Sequence, residues 1–290
     1  MELAVLSGKG GTGKTTIAIS LSELSDNVVT VDCDVDAPNL YLYYQGNELK
    51  KENFSCSKKA VIDKDICLYC GKCQQACNFD AIDDNMNINP YKCEGCGMCV
   101  LVCKQNAIKL VDEDSAILFV NETRNGIISR AEMAIGADGS GKIVTKIRNN
   151  AKGILEDSRL TIIDGSPGLG CSVIASVTGC DLALIVTEPT KSGLEDLKRI
   201  IKLTKHFQTN TLVCVNKYDI NPEITEVITN YCISENIQVV GRIPFDEMVR
   251  KSINELKPII NYQDSTANHA IREMWENIKE YSNKKFRGTK

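Results

Sequence analysis

Eight of the chain's fourteen cysteines are spaced as one motif written twice. Cys67, Cys70, Cys73 and Cys77 read C-x2-C-x2-C-x3-C, and Cys93, Cys96, Cys99 and Cys103 repeat that spacing 26 residues later. Thiolates at this spacing are the ligand set of cubane iron–sulfur clusters, whereas a zinc site needs C-x2-C pairs set apart by a longer spacer. The likeness of the two halves extends beyond cysteine, pairing Ile62 with Ile88 and Ala81-Ile82 with Ala107-Ile108. Such self-similarity marks a duplication inside one small unit, spanning about 60–109. In paired motifs the fourth cysteine ligates the other cluster. Cys67, Cys70, Cys73 and Cys103 are therefore expected to hold one 4Fe–4S centre, and Cys77, Cys93, Cys96 and Cys99 the second. Gly71, Gly95 and Gly97 are expected to let the backbone pass close to sulfur. The proline that usually follows each fourth cysteine is replaced by Asn78 and Lys104, which alters local packing but not ligand count.

The rest of the chain bounds the function. With 290 residues there is length for one large or two modest domains and a sizeable core. A formal net charge of −4 argues against nucleic acid as the main partner. No apolar run approaches the ~18 residues of a membrane span, and Met1-Glu2-Leu3 carries no leader signal, so a cytoplasmic protein is expected. In that compartment the thiols serve metal rather than disulfides, and oxygen-sensitive clusters suit an anaerobic or strongly reducing cell.

Apolar runs outside the repeat read as buried strands at Glu2 to Ser7, Val28 to Asp32, Leu160 to Asp164, Leu182 to Thr187, Thr211 to Val215 and Val239 to Ile243. Helices are expected at Thr15 to Ser25, Lys142 to Leu155, Gly193 to Phe207, Pro222 to Asn236 and Asp264 to Ser282. The last carries Ile271, Met274, Trp275, Ile278 and Tyr281 on one face. Leu40 to Lys59 is expected at the edge of the sheet, and Leu110 to Gly139 as strands and turns. Alternating strands and helices predict an α/β fold, a mostly parallel sheet covered on both sides. The cysteine-rich unit at 60–109 is then an insertion splitting a discontinuous domain of 1–59 and 110–290.

Between the first strand and its helix lies Gly8-Lys9-Gly10-Gly11-Thr12-Gly13-Lys14-Thr15-Thr16, which fits G-x4-G-K-[ST]. Glycines allow backbone N–H groups and a helix N-terminus to face phosphates. Lys14 is expected on the β- and γ-phosphates and Thr15 on Mg²⁺. Asp32-Cys33-Asp34-Val35-Asp36 follows the second strand, and Asp164-Gly165-Ser166-Pro167-Gly168 ends another. Asn216-Lys217-Tyr218-Asp219 taken alone matches N-K-x-D, the guanine reader of GTPases, which keeps GTP open beside ATP.

The second lysine, Lys9, gives the loop a likeness to the deviant Walker A loop of the MinD/ParA class, which includes the nitrogenase iron protein and Mrp-type cluster carriers. Over nearly its whole length the chain resembles MinD-superfamily P-loop ATPases with an inserted ferredoxin domain. Gly165 to Cys171, Val186 to Thr190 and Ser192-Gly193 carry this closer match. The resemblance implies an ATP-binding, Mg²⁺-dependent homodimer in which Lys9 reaches the partner's nucleotide. By it Asp36 positions or activates the attacking water, Asp34 approaches the metal, and Asp164 holds Mg²⁺ through water. Gly168 senses the γ-phosphate, Asn216 with Lys217 meets adenine, and Pro244-Phe245 walls the base. Ser166 stands where the second switch usually has proline, which puts the stiffness of that loop in question. Cys171 lies at the offset of the iron protein's cluster-ligating cysteine, which would place it near a dimer axis. Cys33, Cys56, Cys180, Cys214 and Cys232 read as small core fillers, and His206 and His269 as surface or packing residues. The basic tail Lys284-Lys285-Phe286-Arg287 follows an amphipathic helix whose aromatic face is expected on the sheet rather than on a membrane.

Three functions compete. Nucleotide-gated electron transfer from two clusters to a protein partner comes first. A cluster assembly or carrier protein, delivering to an accepting partner, is second. A MinD-like positioning ATPase with structural clusters is third.

Overall fold

The structure is a computed structural model in which residues 1–44, 46–152 and 160–286 are described. The chain begins with β1 (Glu2–Ser7), α1 (Lys14–Glu23), β2 (Val28–Asp32) and a single 3-10 turn at Leu40–Tyr43. Then come β3 (Glu48–Ile62), α2 (Lys72–Gln75), α3 (Met98–Val102), β4 (Ile108–Thr123), β5 (Gly126–Met133) and α4 (Ser140–Lys152). The remainder alternates: β6 (Leu160–Pro167), α5 (Cys171–Val177), β7 (Leu182–Thr187), α6 (Lys191–His206), β8 (Asn210–Asn216), α7 (Pro222–Ser234), β9 (Gln238–Ile243), α8 (Glu247–Asn254) and α9 (Thr266–Phe286).

The nine strands among the described residues form one sheet in the order β3-β4-β5-β2-β6-β1-β7-β8-β9. Its parallel pairings run through β5-β2, β2-β6, β6-β1, β1-β7, β7-β8 and β8-β9. The fully apolar runs are what a parallel strand needs when both its faces are covered: Leu3 to Leu6 and Leu182 to Val186 are wholly buried. On one face Ile17, Ile19 and Leu21 of α1 join Ile271, Met274, Trp275 and Ile278 of α9 in the core. Ile143, Val144 and Ile147 of α4 and Val173 and Val177 of α5 are buried as well. The aromatic face of the last helix is thus spent on packing, as its sequence predicts.

Two compact units divide the chain. The larger comprises 1–51, 118–131 and 140–290; the smaller comprises 52–117 and 132–139. The smaller has its own core, in which Cys73, Cys93 and Cys99 pack with Ala60, Ile62, Ala81, Ile82, Met86 and Ile108. Its duplication is geometric as well as sequential. Gly71 and Gly97, at φ 73° and 78°, take the left-handed conformation at the N-caps of α2 and α3. Glycine at the same place in both halves of the repeat answers to that backbone conformation rather than to proximity to sulfur alone. Cys73 and Cys99 are buried at equivalent positions, while Cys70 and Cys96 are exposed.

Several expectations shift. Helix α1 starts at Lys14, so the loop lysine is already helical. Strand β3 runs from Glu48 to Ile62 as an outer strand, so the stretch expected at the sheet edge lies there, and the strand extends past Lys59 into the repeat. Helices α5 and α8 have no counterpart in the sequence reading; both are short, at 7 and 8 residues. The last helix continues to Phe286, so Lys284 and Lys285 lie within it rather than after it. Leu155 and Arg287 lie outside the described residues.

Candidate functional site

The phosphate loop joins β1 to α1 at the carboxyl end of the parallel strands, where α/β sheets bind ligands. Gly13 holds φ 88°, and a Cβ there would overlap the Asn216 side-chain nitrogen. Glycine is therefore demanded twice, by conformation and by space. A Cβ at Gly10 or Gly11 would meet nothing within 4 Å, so this stretch of backbone faces open space. Thr12 is 2% exposed, and its buried hydroxyl has no hydrogen-bond partner. A buried polar atom left without a partner is uncommon, and a phosphate oxygen is the kind of acceptor such a loop is shaped to receive.

Three of the expected residues converge. Lys14 Nζ donates to Asp164 Oδ1 at 2.5 Å, and Thr15 Oγ1 donates to Asp164 Oδ2 at 2.7 Å. Lys14 and Asp164 are 6% and 0% exposed, so this ion pair is sequestered from water. A threonine hydroxyl and a carboxylate are oxygen donors of the kind Mg²⁺ takes, so Thr15 and Asp164 would suit that ion. Asp34 is half-buried, with burial pushing its carboxyl up from the ordinary value, and Asp36 is exposed on the same loop.

The sequence reading gave Asp32 no role. It is fully buried at the end of β2, and its carboxyl is pushed up to about 7. Burial is the main cause, aided by the Asp164 charge and opposed by the backbone N–H groups of Asp34 and Leu40 and by Lys14. Its oxygens accept from those two N–H groups at 3.1 and 3.2 Å, so it shapes the loop that carries Asp34 and Asp36. The only hint in the sequence was an aspartate closing an apolar strand.

The loop after β2 and the end of β6 are tied together. Cys33 N donates to Asp164 O at 2.8 Å, and Ser166 Oγ donates to Cys33 O at 2.5 Å. Ser166, which stands where proline is usual, thus ties the end of β6 to the loop after β2. Gly168, at φ 92°, directs its N–H to Ser7 O at 3.0 Å.

The residues expected around the base are engaged with protein groups. Asn216 Nδ2 donates to Thr12 O at 2.8 Å, bracing the phosphate loop. Lys217 Nζ lies 2.6 Å from Glu188 Oε1, and Lys9 Nζ lies 3.6 Å from Glu188 Oε2. Lys9 also approaches Ser192 Oγ at 3.4 Å and Thr190 Oγ1 at 3.5 Å. Glu188, unassigned from sequence, thereby links Lys9 of the loop to Lys217, in the segment expected to meet the base. Asp219 Oδ1 accepts from Phe245 N at 2.7 Å, so this carboxylate holds the Pro244-Phe245 segment. The Phe245 side chain is 49% exposed.

In the smaller unit, Cys67, Cys70, Cys73 and Cys103 line one cavity. Cys77, Cys93, Cys96 and Cys99 line another. The fourth cysteine of each motif therefore stands with the first three of the other. Backbone N–H groups point at sulfur: Tyr69 N to Cys67 at 3.4 Å, Ala81 N to Cys77 at 3.4 Å and Ala60 N to Cys93 at 3.5 Å. Among the described residues no three His, Cys, Asp or Glu side chains gather closely enough for a single metal ion.

Of the other cysteines, Cys33, Cys180, Cys214 and Cys232 are buried fillers, as expected. Cys56 departs from that reading: it is half-buried, with Sγ 3.0 Å from Asp138 O. Cys171 is exposed, at the start of α5. His206 stacks edge-on against Phe207, and His269 Nε2 lies 2.7 Å from Gln263 O. No described helix is long and apolar enough to cross a membrane.

A parallel sheet carrying this loop defines a P-loop nucleotide-binding protein. Residues 3–259 match the CbiA family, the CobQ/CobB/MinD/ParA nucleotide binding domain, and the chain belongs to that family. An uncharacterized protein of Methanocaldococcus jannaschii is 38% identical over 284 residues, 97% of each chain. The iron-sulfur cluster carrier protein of Pyrococcus furiosus is 24% identical over 299 residues, 96% of this chain and 85% of that one. Among solved structures, the cell division ATPase MinD of P. furiosus superposes with a TM-score of 0.59 at 20% identity, covering 97% of this chain and 98% of that one. MinD of Pyrococcus horikoshii, in complex with Mg-ADP, also gives 0.59 at 20% identity, covering 97% and 96%. The fold is thus that of the MinD/ParA P-loop proteins.

Proposed function

We propose that this protein is an ATPase that carries two 4Fe–4S clusters and uses its nucleotide state to gate electron transfer from them to a protein partner. The observation that carries the reading is the crossed grouping of the cysteines. Each cavity receives three thiols from one motif and the fourth from the other, the arrangement that paired cubanes require. A cubane spreads its four thiolates around a cluster rather than drawing them onto one ion, which is compatible with the absence of a single-ion site among the described residues. The clusters, when bound, supply one-electron redox chemistry; the cysteines hold them and the surrounding side chains set their environment.

At the other site Lys14 and the loop N–H groups bind the β- and γ-phosphates, and Thr15 with Asp164 and Asp34 holds Mg²⁺. Nucleotide entry separates Lys14 from Asp164. Asp36 orients the attacking water, and Lys9, released from Glu188, reaches the partner's nucleotide in a closed homodimer. A cation supplied at closure neutralises charge that develops in phosphoryl transfer. Adenine is the base favoured, since Asp219 is committed to Phe245 and is not free to read guanine. Nucleotide gates the redox site only by binding one state better than another; a tenfold preference is about 1.4 kcal/mol.

The test is anaerobic. The purified chain is expected to carry about eight irons, and the EPR signal of the reduced protein should change on adding ATP but not in Lys14→Ala. A spectrum indifferent to nucleotide in the wild type removes the gating. ATP with Mg²⁺ should also double the sedimenting mass, and Lys9→Ala should leave a nucleotide-bound monomer. A wild type that stays monomeric with bound ATP refutes the trans role of Lys9.

A second reading is a cluster carrier. The relatives named as carriers and the exposed Cys171 favour it. Transfer of labelled iron to an apo-protein, lost in Cys171→Ser while the eight-iron content is kept, separates it from the first.

A further inference from the structure

The two cysteine-lined cavities stand in unlike electrostatic surroundings. The wall around Cys67, Cys70, Cys73 and Cys103 also includes Lys72 and Lys104. Both lysines are exposed, and neither belongs to an ion pair among the described residues. A third cation, Lys64, braces the same wall by donating to Asn85 O and Met86 O at 2.6 and 2.7 Å, Met86 being a lining residue. The wall around Cys77, Cys93, Cys96 and Cys99 holds one charged side chain, Glu94, and is otherwise largely apolar, with Phe79, Ile82 and Ile88. Lys59 does donate to Cys93 O at 2.7 Å, but Glu113 balances its charge at 3.5 Å.

One-electron reduction makes a cluster one charge more negative. Cations nearby favour that state, while an anion and an apolar wall oppose it, and surroundings of this kind tune cluster potentials. One effect runs the other way. Hydrogen bonds to ligating sulfur also favour the reduced state, and the second cavity has two such N–H···S contacts against one in the first. These contacts are long, at 3.4–3.5 Å, and the difference is a single amide dipole. Two unpaired full charges against one of opposite sign outweigh it.

We infer that Lys72 and Lys104 make the Cys67/Cys70/Cys73/Cys103 centre the higher-potential member of the pair, so that the first electron to enter the protein comes to rest there. The inference rests on the two-cubane reading above. The step is a single electron delivered by a low-potential one-electron donor: the donor is oxidised and one centre is reduced. No bond forms or breaks, and no proton moves. Glu94 acts in the opposite sense on the other centre and widens the gap.

The experiment is a mediated redox titration of the full chain, reconstituted anaerobically, followed by EPR, with iron and sulfide counted on the same samples. Wild type should show two one-electron steps. In Lys72→Gln/Lys104→Gln the upper step should move to lower potential while the lower step stays in place. The equilibrium for placing the electron at that centre should fall on the order of threefold to tenfold per lysine. Glu94→Gln should raise the lower step alone. With full iron content, a double variant that moves the lower step, or neither, overturns the inference and leaves the two-cluster reading standing. Iron well below about eight per wild-type chain overturns that reading and the inference with it. All three substitutions are of exposed side chains, and the iron count controls for their folding.

Discussion

Arg148 is 8% exposed, and its buried guanidinium is met on two of its nitrogens. One donates to Ala175 O and Thr178 O at 2.6 and 2.8 Å; the other meets Glu2 Oε2 at 2.5 Å and Cys180 Sγ at 3.5 Å. Burial pushes the Glu2 carboxyl up, but hydrogen bonds from Lys152 and Arg148 outweigh it and hold the group below its ordinary value. One side chain therefore joins β1, α4 and the end of α5, the helix that follows the second switch-like loop. Removing the guanidinium leaves the Ala175 and Thr178 carbonyl oxygens without that donor and leaves Glu2 to the exposed Lys152. Arg148→Met is expected to cost about 3–5 kcal/mol by urea unfolding. Lys152→Met, which removes an exposed partner of the same carboxylate, should cost less than about 1 kcal/mol. Equal costs would show that Glu2 is solvated and that Arg148 is no more than packing.

At the scale of elements, Asp246 governs the entry to two helices. Its Oδ1 caps α8 by accepting from Met248 N at 2.8 Å. Its Oδ2 takes Ser265 Oγ, Ala267 N and Thr266 Oγ1 at 2.7, 3.1 and 3.2 Å, at the start of α9. Burial pushes this carboxyl up, but those four donors together hold it below its ordinary 3.8. Its stabilising effect is thus complete above 3.8 and fades as pH falls through the lower, folded value. Asp246→Asn should cost about 1–2 kcal/mol at neutral pH. The gap to wild type should stay flat down to pH 3.8 and close only below it. Urea midpoints across pH are the measurement, and a gap that shrinks between pH 7 and 5 contradicts the assignment. These contacts also show which parts of the molecule were readable in advance. The β1–loop–α1 unit and the cysteine repeats announce themselves because their determinants are neighbours in sequence. Glu188 and Asp219 do not, because each acts on a distant partner, Lys9 with Lys217 and Phe245; Asp32 does not, because it works by accepting the backbone N–H groups of Asp34 and Leu40, which leaves no side-chain pattern to read. Helix α5 is illegible because seven residues after a glycine-rich loop show too little periodicity; β3 lies at the sheet edge, as Leu40 to Lys59 is expected to, but its polar run hides the bounds of the strand.

The whole molecule is an unequal pair of cores. The larger unit buries a parallel sheet between helices around an extensive apolar core. The smaller unit has nine buried residues in its core, three of them cysteines, and its two helices have only 4 and 5 residues. Cores this small fold on their own only with a staple, and metal binding is folding free energy where the ligands come from separate segments. On the reading proposed above, the clusters are that staple. Anaerobic treatment with a chelator and a mild oxidant should therefore open 52–117 and 132–139 to proteolysis and rapid hydrogen exchange. ATP should still bind, because no loop residue named at the phosphate site belongs to that unit. Calorimetry should show one of two transitions lost, with the other still raised by Mg-ATP, as a ligand of the native state must raise it. Protection that persists in the smaller unit after iron removal would mean that its packing suffices and that the cysteines do not hold the fold. Loss of both transitions together would mean that the two units do not fold independently.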